Sequence, residues 1–386
     1  MKRYIALVDC DSFFVACEQS VNPELKGKPV CVLSNNDGCV VSRSREAKKM
    51  GIKMGMPYFM AKREFPKGIY VSGNHEIYRE FSHRVMECLK QFSPDVQIYS
   101  IDEAFIDLTG TKKLYKRNYV EIVKMIKSEI KKETDIDVSI GLSLSKTLSK
   151  LASDKAKNTG GIYVIGSRKI IKEMKNTRVE EIWGVGRNIH KFLQKWGILM
   201  ADDFVSRSDE WLKSNLGKTA VELKHELSGD SISPVIDKYE PPKSIQDTSA
   251  IGEFTSDINT LKTELSKHIH SSCVKLRRHN GVCSTVGVML RTKDFIVYTK
   301  RKVLLQPTNF ELTIQTEVSE LLKEIYSPQR IYRSTGIMLE NLSYSEGHQL
   351  FLFNSEFEKT SKLAKSIDNI EKKFGKNAIT TGFINN

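Results

Sequence analysis

Two short acidic patches carry the chemistry open to this sequence. The apolar run Tyr4-Ile5-Ala6-Leu7-Val8 ends in Asp9-Cys10-Asp11, and Tyr99-Ser100-Ile101-Asp102-Glu103-Ala104-Phe105 is flanked by Val96, Ile98, Ile106 and Leu108. Both predict β-strands that deliver carboxylates at a strand end or a tight turn. Acids on apolar strands are costly unless paired or bound to a cation. Three converging carboxylates with oxygen-only ligation suit Mg²⁺, which keeps waters and shares its shell with substrate phosphates. Two such ions can clamp the attacking and leaving oxygens of a phosphoryl transfer.

The rest of the chain has to position those acids. Residues 1–110 alternate strand and helix patterns. Tyr119, Ile122, Val123, Ile126 and Ile130 recur at helical spacing, Asp137–Leu142 reads as a strand, and Ser145–Ala156 as a lysine-rich helix. This mixed order predicts an α+β sheet domain. From 166 to about 235 the pattern is helical: Ile170–Met174, Ile189–Trp196, Ala201–Val205, Trp211–Leu216 and Ala220–Leu227, with Gly229 as a stop. Residues 237–245, with Pro241-Pro242, read as a linker. Beyond it a helix near 258–279 precedes strands around Ser284–Arg291, Phe295–Leu305 and Ser334–Leu342.

A chain of 386 residues is long enough for two to four domains. Its net charge of +13, with a pI near 9.2, favours a polyanionic partner. Residues 111–165 hold 12 Lys/Arg against 6 Asp/Glu, so +6 of that excess is concentrated there. Seven cysteines, an odd number without a Cys-x-x-Cys pair, argue for a reducing compartment and against a disulfide framework or a zinc site. Lys2-Arg3 leads straight into a strand, and no long apolar run appears, so a cytoplasmic protein without a membrane segment is expected. The eight histidines are scattered, and no Ser/His or Cys/His nucleophile pair is suggested.

Asp9-Cys10-Asp11-Ser12-Phe13-Phe14, Leu25-Lys26-Gly27-Lys28-Pro29-Val30 and Ser100-Ile101-Asp102-Glu103-Ala104-Phe105 resemble the Y-family, lesion-bypass DNA polymerases. Leu33-Ser34-Asn35-Asn36-Asp37-Gly38-Cys39-Val40 narrows the resemblance to the bacterial UmuC-like branch. The resemblance implies a multidomain right-hand polymerase of α+β class. Its parts would be a palm (1–10 and 76–165) with an antiparallel sheet, small fingers (11–75), a helical thumb (166–236), a linker (237–244), an α/β little finger (245–345) and a tail (346–386). Asp9, Asp102 and Glu103 match the family's catalytic, metal-binding carboxylates for two Mg²⁺ ions, with the Cys10 carbonyl as a further ligand. Strand alternation puts Asp9 and Asp11 on the same side, so only the family match ranks Asp9 first.

By the same resemblance Phe13 and Phe14 are expected to bind the deoxynucleotide, Phe14 where an aromatic ring excludes a 2′-hydroxyl. Lys48 and Lys157 match basic positions that hold the triphosphate of a deoxynucleotide. Arg45 shares a helix face with Lys48, although many relatives carry Tyr there. Trp183-Gly184-Val185-Gly186-Arg187, followed by a helix, resembles a helix-hairpin-helix whose backbone N–H groups meet DNA phosphates. Gly184, Gly186 and Arg187 are its expected contacts. Lys275, Arg277 and Arg278, and Lys300-Arg301-Lys302, would place cations against duplex DNA.

Gln349-Leu350-Phe351-Leu352-Phe353 resembles the pentapeptide by which bacterial polymerases dock on the sliding clamp. UmuD-like and RecA-like proteins are further partners of UmuC-type relatives. The expected activity is template-directed, low-fidelity DNA synthesis on a primer-template, with damage tolerance as its role. A nucleotidyl cyclase on a similar palm would need no thumb, little finger or clamp peptide. A non-catalytic DNA- or clamp-binding scaffold would not need all three carboxylates.

Overall fold

A computed structural model describes residues 2–34, 37–236, 241–344 and 355–375, with side chains of the last stretch from Lys362 onward. The pentapeptide 349–353 lies outside the described residues. The chain divides into two compact units, residues 1–238 and 239–386.

The first unit opens with β1 (Ile5–Cys10), α1 (Phe13–Val21), β2 (Val30–Leu33), β3 (Val40–Arg43), α2 (Arg45–Lys49), α3 (Tyr58–Glu64) and β4 (Ile69–Ser72). It continues through α4 (His75–Lys90), β5 (Val96–Ile98), β6 (Glu103–Asp107), α5 (Thr111–Tyr115), α6 (Tyr119–Thr134), β7 (Val138–Ser143), α7 (Lys146–Ala156) and β8 (Ile162–Val164). Five helices close it: α8 (Ile170–Lys175), α9 (Arg187–Lys195), α10 (Ala201–Val205), α11 (Asp209–Leu216) and α12 (Lys218–Ser228).

The main sheet has the order β5-β6-β1-β7-β8, antiparallel except for the parallel β7–β8 pair. Strand β1 is central and buried at every residue, because both its faces are covered. Ala6, Val8 and Cys10 join a core with α4 and α6, whose inward residues include Tyr78, Val85, Ile122, Ile126 and Ile130. Ile5 and Leu7 cluster with Phe105 on the opposite face. Both covering helices are fixed at their starts. The Asn74 side chain accepts from the Glu76 and Ile77 amides, and Asn118 with Glu121 forms a capping box on α6.

A small sheet of order β3-β2-β4 carries its own core around Cys31, Leu33, Val40, Ile52 and Ala61. Helices α8–α12 bury Ile170, Met174, Leu193, Phe204, Leu212 and Leu227 with Leu148 and Leu151 of α7.

The second unit holds β9 (Ile245–Thr255), α13 (Ile258–Arg278), β10 (Gly281–Thr292), β11 (Val297–Thr308), α14 (Glu311–Ile325), β12 (Tyr332–Tyr344) and α15 (Ser355–Phe374). Its antiparallel sheet has the order β11-β10-β12-β9. Leu261, Leu265, Ile269 and Leu276 of α13 and Ile314, Val318 and Leu322 of α14 pack on it. The sequence pattern does not predict strand β9, because its residues 246–249 are polar and its place is set by backbone pairing to β12. No described helix is long and apolar enough to cross a membrane.

Candidate active site

The acids meet at one end of the main sheet. Asp9, near the end of β1, and Glu103, the first residue of β6, are direct register partners. On its other side Asp9 is the register partner of Ser139 in β7. Asp102 sits in the turn before β6, where its carbonyl accepts from the Cys10 amide at 2.9 Å. The turn is closed by the Tyr99 and Ser100 amides, both donating to the Glu103 carbonyl. The Ser100 hydroxyl donates to the Asp102 carboxylate, so that side chain faces its own turn.

Lysines from one helix stand over these acids. Lys157, the residue that caps the C-terminal end of α7, donates to Asp9 Oδ2 at 2.8 Å. Lys150 Nζ bonds Glu103 Oε1 and lies 3.7 Å from Asp9 Oδ2. Helix α7 can reach the acids because it lies almost on the strands: Ser149 donates to the Ile5 carbonyl and Ser153 to the Ser139 carbonyl. Gly141, on β7, leaves the room for that approach.

Burial raises the Asp9 carboxyl to about 6, and neighbouring Glu103 pushes the same way, while Lys157 opposes both. Burial works against the Lys157 charge, but the bond to Asp9 overrides it and holds the ammonium above its ordinary value. Among the described residues no three His, Cys, Asp or Glu side chains form a ready metal cluster. Asp9 and Glu103 nevertheless suit a hard divalent cation by donor chemistry. They are paired carboxylates, shielded from water, whose charges are balanced by two ammonium groups.

Asp11 has a separate role. Its Oδ1 accepts from the Ser139 hydroxyl at 2.7 Å and its Oδ2 from Arg45 at 3.2 Å. Arg45 and Lys48 are both exposed on α2, whose N-cap Ser44 accepts from the Ala47 amide. Phe14 is half-buried and stacks on Tyr78, with ring centroids 4.4 Å apart, while His75 meets it edge-on. Phe13 corrects an expectation: its side chain is 4 % exposed and belongs to the core with Val15 and Cys17. One helical step of 100° turns it away from its neighbour.

Gly184, Gly186 and Arg187 are exposed at the start of α9. Gly184 takes φ +98, which favours glycine, and Gly186 caps the helix. Trp183 ties this loop to the acid-bearing hairpin. Its ring packs on Tyr99 and Phe105, and its Nε1 donates to the Tyr99 hydroxyl.

In the second unit, Lys275 is half-exposed and donates to Asp247 at 2.7 Å. Arg277 is a second correction. Its side chain is 8 % exposed, bonded twice to Asp368 and once to Glu311, so it holds α15 against α13 and is not a surface cation. The main residue missed from sequence is Lys150. The signal was present, because positions 146, 150 and 157 fall on one face of a helix.

Two models of the impB/mucB/samB family match the chain, one at residues 8–154 and its C-terminal domain at 242–352. The chain is 32% identical to Protein UmuC of Salmonella typhimurium, with 97% of this chain and 92% of that protein covered. It is also 32% identical to DNA polymerase IV of Sulfurisphaera tokodaii, covering 91% of this chain and 99% of the relative. A solved Y-family DNA polymerase chimera, Dbh-Dpo4(243-245)-Dbh, superposes with a TM-score of 0.75 at 27% identity, over 89% of this chain and 100% of that one. An insertion ternary complex of Dbh DNA polymerase matches over the same shares at 27% identity, with a TM-score of 0.59. From its sequence, its sheets and its near full-length relatives, the chain belongs to the Y-family DNA polymerases of the impB/mucB/samB group, and is a DNA-directed DNA polymerase of translesion synthesis.

Proposed function

We propose that Asp9, Asp102, Glu103 and the Cys10 carbonyl hold two Mg²⁺ ions for transfer of a deoxynucleotide to a primer 3′-hydroxyl. The single observation that carries this is the Asp9–Glu103 register pair, two acids brought together at a strand end under two lysines. Bound divalent ions would supply charge stabilisation to the phosphoryl group. The chain's own residues bind and orient. Lys157, with Lys48 and Arg45, takes the triphosphate of the deoxynucleotide. Phe14, braced by Tyr78, lies against the sugar. The Gly184–Arg187 turn and the start of α9 meet phosphates of the primer-template without reading sequence.

On this reading residues 1–10 and 76–165 are the palm, 11–75 the fingers, 166–236 the thumb, 237–244 the linker and 245–345 the little finger. The tail 346–386 would carry the clamp-binding Gln349–Phe353. Lys275 supplies a little-finger contact once it leaves Asp247. A sliding clamp, and UmuD-like and RecA-like proteins, are the proposed partners in the cytoplasm. The test is primer extension with Asp102→Ala and Glu103→Ala. Losing a metal contact of ~4 kcal/mol slows the step roughly a thousandfold, with DNA binding kept. Extension within about tenfold of wild type for both variants removes the two-metal assignment.

A further inference from the structure

Helix α7 lays a stripe of three lysines along the sheet. Lys146 bonds Gln97 and stands over the Phe105 ring, Lys150 bonds Glu103, and Lys157 bonds Asp9. Lys150 differs from the other two. Its Nζ addresses both acids at once, and its side chain is only 16 % exposed, so water screens the contact little. Lys150 and Lys157 thus balance the Asp9 and Glu103 charges, and of the three proposed ligand acids only Asp102 stands outside these pairs. A free divalent cation arriving there finds Asp9 and Glu103 already paired and must displace Lys150 from Glu103.

We propose that Lys150 is a resident counter-cation that denies the site to a free metal ion, so that the ion enters with the nucleotide. The inference rests on the metal-site reading above. A triphosphate carrying its own cation changes the balance. Its oxygens draw Lys157 away from Asp9, the carboxylates regain net negative charge, and the ion is then favoured over the ammonium. Lys150 is therefore a positioning residue: it keeps two like charges together before the metal arrives and sets the order of arrival.

The experiment is a Mn²⁺ titration followed by electron paramagnetic resonance on the full chain without nucleotide, with thermal melting recorded for every variant. Lys150→Met keeps the length and removes the charge. Lys150→Gln, which keeps a donor for Glu103, is the second variant should the first melt early. Both are expected to bind Mn²⁺ about tenfold or more tightly than wild type, and that gain is expected to disappear when Glu103→Ala is added. Lys150→Arg is expected to stay as weak as wild type. Lys146→Met, on the same helix face but bonded to Gln97, is expected to leave Mn²⁺ affinity unchanged. A folded Lys150 variant that binds no more tightly than wild type overturns the proposal, as does a gain that survives Glu103→Ala. The metal-site reading fails separately, if wild type with a deoxynucleotide shows no Mn²⁺ binding that depends on Glu103.

Discussion

Gly141 and Ser153 are in such close approach that a β-carbon on Gly141 would stand 2.1 Å from the Ser153 backbone nitrogen and 2.2 Å from the Ser149 carbonyl oxygen. No side-chain rotation relieves an overlap with backbone, so α7 can lie on β7 only with glycine there. The consequence reaches the acids, because α7 carries Lys150 and Lys157. Gly141→Ala is expected to lower stability by about 3 kcal/mol, read as a shifted urea midpoint. It should also reduce extension by the molecules that stay folded, since the lysines move away with the helix. A variant as stable and active as wild type would show that the helix has slack.

The strand ends and helices of the first unit were legible for a simple reason. An apolar run that stops at Asp9, and helical spacing such as Ile122, Ile126 and Ile130, record burial that the fold must honour. The carboxylate pair was legible for the same reason. What the sequence hid were relations between distant residues. Arg277 looked like a solvated cation near the end of α13, but its partner Asp368 lies 91 positions further on. Lys150 was one lysine among many until the strand register put Glu103 under it. Phe13 and Phe14 are adjacent and chemically alike, and only their helical phase separates the buried ring from the half-buried one.

Sugar selection tests Phe14. The ring is stacked against Tyr78, itself fully buried with its hydroxyl donating to Glu18 at 2.6 Å, so its position is fixed from behind. Phe14→Ala is expected to raise incorporation of ribonucleotides relative to deoxyribonucleotides while extension persists. The measurement is the ratio of kcat/KM for the two sugars. An unchanged ratio in an active variant would make Phe14 a packing residue alone.

The pentapeptide is tested by Phe351→Ala/Phe353→Ala. Burying each phenyl ring in a clamp pocket contributes ~1.5–3 kcal/mol, so removing both is expected to weaken clamp affinity roughly a hundredfold or more. Distributive extension on a short primer should persist, and stimulation by a loaded clamp should vanish. If stimulation is as strong as in wild type, the clamp partnership falls.

The hold of α13 on its neighbours should depend on pH, from both sides for α14, which carries Glu311, and from the alkaline side for α15. His270 bridges Glu311 and Glu371, and Arg277 bridges Glu311 and Asp368. Burial opposes the Glu311 charge, but the bonds from His270 and Arg277 win and hold its carboxyl down to about 2, against an ordinary 4.5. Its contribution is therefore complete above 4.5 and is lost as pH falls from there through about 2. His270 runs the other way. The bond to Glu311 raises its imidazole above the ordinary 6.5, although burial works against it. Its contribution is complete below 6.5 and is lost as pH rises through the raised value. The α14 contact should thus be strongest between about 4.5 and 6.5 and loosen on either side, while the α15 contact through His270 and Glu371 loosens as pH rises above 6.5. Amide hydrogen exchange of residues 311–325 and 362–374, followed against pH and corrected for intrinsic rates, reads both contacts. Arg277→Ala should expose α15 at every pH and leave the salt dependence of DNA binding unchanged, because a cation already committed to Asp368 releases no counterions from DNA. Protection of α15 that ignores pH, or a salt slope that drops by about one in the variant, would return Arg277 to the DNA-facing surface.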